Sequence, residues 1–212
     1  MLDILYSDNH LLAVNKPSGL LTQPSGTEKD NLEARAKAFL KESLGKPGEV
    51  FLEAVHRLDR PVAGVVLFGR TSKALARLNA SIRAGECIKL YLALVSQEPP
   101  ETSGRLENWL LHDDFHARAA TASTPGAKLA VLEYELLEHT PAGYVLQIRL
   151  HSGRYHQIRA QLSLMKCPIV GDAKYGSRVP WKHGAIALQH HQLTIPHPTT
   201  HQILTIKAPR LF

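Results

Sequence analysis

Cysteine is scarce: only Cys87 and Cys167 occur, and their spacing is not that of metal ligands. That argues against a disulfide scaffold and suits a reducing compartment. Long apolar runs are missing as well. No stretch reaches the roughly 18 continuous apolar residues of a membrane span. The opening Met1-Leu2-Asp3-Ile4 has neither the basic nor the apolar region of a secretory signal. A cytoplasmic protein is therefore expected, with no membrane partner. Glycine-rich nucleotide loops and the GxSxG elbow are absent. His197 and His201 stand four apart, but Pro198 resists a helix there and no carboxylate or cysteine pattern joins them, so no metal is expected. No fixed-period repeat, low-complexity tract or linker divides the chain. A single domain over residues 1–212 is expected, as a monomer.

What is present is ordinary for a globular protein: 44% apolar and 21% charged residues. The formal charge of +6 is unevenly spread. Between Gln147 and His183 seven lysines and arginines face one acid, Asp172, and between Arg70 and Tyr91 five face only Glu86. The stretch from Gln97 to Phe115 leans the other way, with five acids against Arg105. Two basic blocks of this kind fit either a polyanion footprint or a solvated surface.

Hydrophobic spacing predicts a hairpin of Leu2–Leu5 and Leu11–Val14, a turn at Lys16-Pro17-Ser18-Gly19 and a loop from Thr22 to Asp30. Helices are predicted over Asn31–Ser43, over a segment capped by Ser72 and ended by Gly85, and over Tyr155–Met165. Ile88–Val95 alternates, which places Tyr91 and Lys89 on the more polar face. Leu129–Leu137, Tyr144–Leu150, Leu188–Ile195 and Gln202–Ile206 read as further strands. Strands outnumber helices and many neighbours in sequence look antiparallel. The expected fold class is therefore α+β, with a mixed, mostly antiparallel central sheet flanked by helices and loops.

Three segments can carry chemistry. His56-Arg57-Leu58-Asp59 leads into the apolar run Gly64–Phe68, placing an acid at the mouth of a buried strand. A carboxylate there is costly without a cation. A salt bridge at a strand entrance and a catalytic acid both fit, and on an extended backbone Arg57 and Asp59 share a face. Gly153-Arg154-Tyr155-His156-Gln157-Ile158-Arg159 puts two arginines near a helix start, an end that disfavours cations unless anions are bound. One arginine there fits a phosphate and the other a buried carboxylate. In Lys89-Leu90-Tyr91, the tyrosine either stacks on a base or packs across strands.

Taken together and in order, these segments resemble the RluA-type pseudouridine synthases (RluA/RsuA superfamily). The resemblance covers nearly the whole chain. It rests on Asn15-Lys16-Pro17-Ser18-Gly19-Leu20, His56–Asp59, Lys89–Val95, Gly153–Arg159 and Pro168–Gly176, with Lys207-Ala208-Pro209 near the end. It implies an RNA-modifying isomerase that needs no cofactor and acts on ribosomal or transfer RNA. The N1–C1′ bond of a uridine breaks, the base turns, and C5 joins C1′, with the base flipped out of its helix. Asp59 matches the catalytic carboxylate; addition to sugar or base and removal of the 2′ proton stay open as its route. Tyr91 matches the tyrosine that stacks on the uracil and takes the C5 proton, and Arg159 the arginine that pairs with the aspartate. The resemblance implies RNA or substrate contacts for Arg57, His56, Lys16, Arg154, His156, Gln157, Ile158 and Lys89. Two departures stand out: Val62-Ala63 where the family has Thr-Ser, and Leu188-Gln189-His190 where it often has Leu-His-Ala. A binding module that has lost the chemistry is the alternative these permit. The N-terminal S4-like module of many relatives is expected to be absent.

Overall fold

The computed structural model describes every residue except Met1, Thr27 and Lys46; Thr27 of the predicted Thr22–Asp30 loop therefore lies outside the described residues. In chain order the elements are β1 (Ile4–Ser7), β2 (Leu11–Lys16), α1 (Leu32–Ser43), β3 (Glu53–Ala54), β4 (Ala63–Gly69), α2 (Ser72–Arg83), β5 (Ile88–Val95), β6 (Ser103–Asp113), β7 (His116–Ala120), β8 (Lys128–Thr140), β9 (Gly143–Leu150), α3 (Gln157–Leu164), β10 (Leu188–Pro196) and β11 (Ile203–Lys207). The class is α+β with mostly antiparallel strands, as the sequence predicts. No helix among the described residues is long and apolar enough to cross a membrane.

The chain divides into two compact units. The first is Met1–Ile88 with His190–Arg210. Here β1 pairs antiparallel with β2 and β2 with β4, β10 lies beside β4, and β11 closes on β10. The β1–β2 turn is tied by Asp8, whose Oδ1 accepts from the backbone N–H groups of His10 and Leu11 at 2.7 Å each. Oδ2 of the same carboxylate accepts from His197 Nε2 at 2.8 Å. His197 Nδ1 in turn accepts from the N–H groups of Thr199 and Thr200. The late histidine thus serves as a staple between two turns. Leu11, Ala13, Val65 and Leu67 pack with Leu78 of α2 and Leu193, Ile195 and Ile206 of the closing strands.

Both predicted helices of this unit form. Asn31 caps α1 by accepting from Ala34 N–H at 3.0 Å. The cap of α2 is Thr71 rather than Ser72: Thr71 is extended and accepts from Ala74 N–H at 3.1 Å, whereas Ser72 is already helical. Gly64 carries the sharpest backbone requirement. Its φ is +115°, and a Cβ there would lie 2.2 Å from the His190 carbonyl oxygen. Gly64→Ala is therefore expected to cost about 1–3 kcal/mol, as overpacking does. Urea denaturation measures it, and a loss under about 0.5 kcal/mol would contradict the close approach.

The second unit is Lys89–Gln189 with Leu211–Phe212. Its strands run β5–β9–β8–β6–β7, each pair antiparallel. From Tyr91 to Val95 both faces of β5 are buried, so the more polar face read from alternation is not exposed to water. The hairpin of β6 and β7 occupies a stretch in which the sequence predicts no element. α3 packs against it through Ala160, which clusters with Leu110, Ala117, Ala130 and Tyr175.

Candidate active site

Asp59 sits in irregular backbone just before β4, outside any strand. Its main chain is fixed on both sides. Before it, the buried Thr22 hydroxyl donates to the Leu58 carbonyl at 3.0 Å and accepts the Leu58 N–H at 3.1 Å. After it, the Arg60 carbonyl accepts from Gly19 N–H at 2.8 Å and from Lys16 Nζ at 3.2 Å. The Arg60 guanidinium returns a bond to the Gly19 carbonyl at 3.0 Å. Val62 N–H closes the turn on the Asp59 carbonyl at 3.0 Å. The outcome is a half-buried carboxylate on a loop with little freedom to move.

Lys16 is the main correction to the sequence reading. It is fully buried, and its ammonium donates to the carbonyls of Pro17 (3.0 Å), Leu20 (2.7 Å) and Arg60. Three donors meeting three carbonyls inside the protein do not grip phosphate; they hold the Asp59 loop. Burial pushes this lysine down to about 7, opposed by the attraction of Asp59 and helped by the charge of Arg60. The folded value lies below the ordinary 10.5, so above pH 7 the unfolded chain holds more protons than the folded one. Stability is thus expected to rise between about pH 7 and 8.5, by up to about 1.4 kcal/mol per pH unit. Urea midpoints of the wild type and of Lys16→Met test this; an equal slope in both would remove Lys16 as the source.

In the second unit, α3 starts at Gln157, and His156 before it has φ 49°. Arg159, in the first turn, forms a two-pronged ion pair with Asp172: Nε to Oδ2 at 2.7 Å and a terminal nitrogen to Oδ1 at 2.9 Å. The two side chains are 6% and 1% exposed. Asp172 thereby resolves the puzzle of a cation at a helix start. The guanidinium also lies over the Tyr175 ring, 4.9 Å from its centroid. The Tyr175 hydroxyl bonds His156 Nδ1 and accepts from Ala117 N–H, both at 2.8 Å. Burial, with Arg159 and Lys174 nearby, lowers His156 to about 3, so the imidazole is neutral.

Two further predicted contacts change role. The Gln157 carboxamide is buried and used four times: Oε1 accepts from Ser152 Oγ and Arg154 N–H, and Nε2 donates to the Val131 carbonyl and to Gln161 Oε1. That exhausts a carboxamide, so Gln157 supports the fold rather than RNA. His156, buried, neutral and held by Tyr175, does the same. His56 is half-exposed, and its Nε2 accepts from Leu67 N–H at 3.3 Å. Arg57 and Arg154 are exposed, Lys89 is half-buried, and Ile158 and Tyr91 are buried. Tyr91 stands opposite Ile148 in the β5–β9 register. The departures from the family pattern are packing residues here: Val62 and Ala63 lie in the core, and His190 Nδ1 bonds the Val65 carbonyl at 2.7 Å. Sequence reasoning missed Thr22 and Asp172, although Asp172 was marked as the only acid of the larger basic block.

A family model described as RNA pseudouridylate synthase matches residues 10–164. The chain belongs to this family. The RluA-type resemblance read from the five motifs therefore holds. Over 213 residues the chain is 32% identical to the dual-specificity RNA pseudouridine synthase RluA of Escherichia coli, covering 99% of this chain and 93% of that protein. It is 32% identical to an uncharacterized RNA pseudouridine synthase of Synechocystis, covering 98% of the chain but 65% of the relative. The ribosomal large subunit pseudouridine synthase D of Xanthomonas campestris is 30% identical, with 98% and 66% covered. The chain thus spans just under two thirds of the length of these last two pseudouridylate synthases. Among solved structures, human RNA pseudouridylate synthase domain containing 4 superposes with a TM-score of 0.82 at 22% identity, over 98% of this chain and 88% of that one, a likeness of fold.

Proposed function

We propose that this chain isomerises uridine to pseudouridine in structured ribosomal or transfer RNA, with Asp59 as the catalytic carboxylate. The observation that carries the reading is the Asp59 loop. Family membership supports the reaction, and the clamps at Leu58 and Arg60 restrict the backbone that carries that carboxylate, as a positioned acid requires. The bonds balance without cofactor: N1–C1′ breaks, C5–C1′ forms, the C5 proton leaves and N1 gains one. Asp59 starts the detachment, either by adding to the nucleoside or by taking the 2′ proton. Tyr91 takes the C5 proton, and Arg159, steadied by Asp172, is the fixed cation of the chemistry. The target base must leave its stack to react.

Because the C5 hydrogen is lost, RNA carrying tritium at uracil C5 releases label to water as pseudouridine forms. Purified protein is expected to release tritium from C5-labelled ribosomal or transfer RNA, and the product nucleoside is expected to be pseudouridine. Absence of release from every RNA of the source cell would refute the reading.

A further inference from the structure

The β6–β7 hairpin and the segment after α3 enclose a groove that the proposed chemistry does not use. Two adjoining cavities, of about 830 and 420 Å³, share Ser163, Tyr175 and Gly176. Both volumes fall in the general range of ligand pockets. The first is bordered by Phe115 and Lys174, the second by Lys166 and Arg178. The acids at the rim are Asp113, which is matched by Arg118 at 3.2 Å, and Asp114 at the hairpin tip. The balance of the remaining side chains is cationic.

Phe115 is the observation that points to a base. At 72% it is the most exposed large apolar side chain among the described residues. Its backbone is tied: Lys174 Nζ donates to the Phe115 carbonyl at 2.9 Å and lies 5.8 Å from the ring centroid. An aromatic face open to water, beside an ammonium, is what a stacked base with its phosphate requires. The groove is also joined to the motif around Arg159. Tyr155 lies between His112 of β6, at 4.0 Å, and His156, at 3.9 Å. Tyr175, common to both cavities, is the ring that Arg159 covers.

We propose that this groove binds the RNA strand flanking the reacting uridine. One base stacks on Phe115, and the adjoining phosphates lie along Lys174, Lys166 and Arg178. The proposal rests on the isomerase reading for its choice of RNA, and the test separates the two. The probe is a fluorescent single-stranded oligouridylate, titrated by anisotropy over a range of salt. Phe115→Ala is expected to weaken binding about tenfold with an unchanged salt slope, because stacking releases no counterions. Phe115→Tyr restores the affinity. Replacing Lys174, Lys166 and Arg178 together by glutamine is expected to lower the slope by about 2, at roughly 0.7 per single-strand phosphate contact. The thermal midpoint of Phe115→Ala stays at that of the wild type, because the ring is exposed. Wild-type affinity and slope in both variants would overturn the groove, as would failure of the wild-type chain to bind the probe. Binding that depends on Phe115 without tritium release leaves the groove standing and removes the isomerase reading. Tritium release with unaltered affinity in Phe115→Ala does the reverse.

Discussion

Asp59→Asn is expected to lower tritium release by about 10²–10⁴-fold, the range of a positioned acid or base, while RNA affinity stays within a factor of about 3. Asparagine has nearly the same shape as aspartate but can neither add as a carboxylate nor accept the 2′ proton. Thr22, Gly19 and Lys16 hold the backbone at Leu58 and Arg60 through bonds that the substitution leaves in place. The variant is therefore expected to unfold near the wild-type temperature. Initial rates at saturating RNA, together with a binding titration, decide the matter. Near-normal turnover would remove Asp59 from the chemistry, and lost binding with residual turnover would make it a recognition residue.

The second large effect concerns the ion pair of Arg159 and Asp172. Both side chains are almost wholly buried and meet through two short hydrogen bonds. Such a pair adds little over a well-packed apolar one, but breaking it by removing a single member is strongly destabilising. Asp172→Ala is expected to destabilise the chain by about 3–5 kcal/mol, a fall of roughly 6–20 °C in Tm for this size. Differential scanning calorimetry measures it. A shift under about 2 °C would show that the pair is not the anchor of α3.

Legibility in the sequence followed solvent exposure. The first hairpin was legible as short apolar runs split by Ser7-Asp8-Asn9, and α1 and the strands after Leu129 because one apolar face repeats at the period of the element. β6 was not. Glu107, Asn108, Asp113 and their neighbours leave it largely exposed, so it carries little apolar alternation and reads as loop. β5 misled in the opposite sense: from Tyr91 onward both of its faces are covered, and its alternation is not that of a half-exposed strand. The motifs identified the family, yet the roles of individual polar residues depend on what surrounds them. Lys16 and Gln157 look like RNA contacts in a basic chain. Carbonyls that meet the Lys16 ammonium, and four partners around the Gln157 carboxamide, make both internal braces. Such braces come from residues distant in sequence, so no local pattern reveals them. Asp172 was the exception, a lone acid among seven lysines and arginines.

The most direct test of uridine isomerisation by Asp59 is a carbodiimide-based map of pseudouridine in total RNA from the source cell with and without this gene. The account predicts that one or a few sites lose their signal, regain it with the wild-type gene, and stay unmodified with Asp59→Ala. An unchanged map, or full recovery by Asp59→Ala, would contradict it.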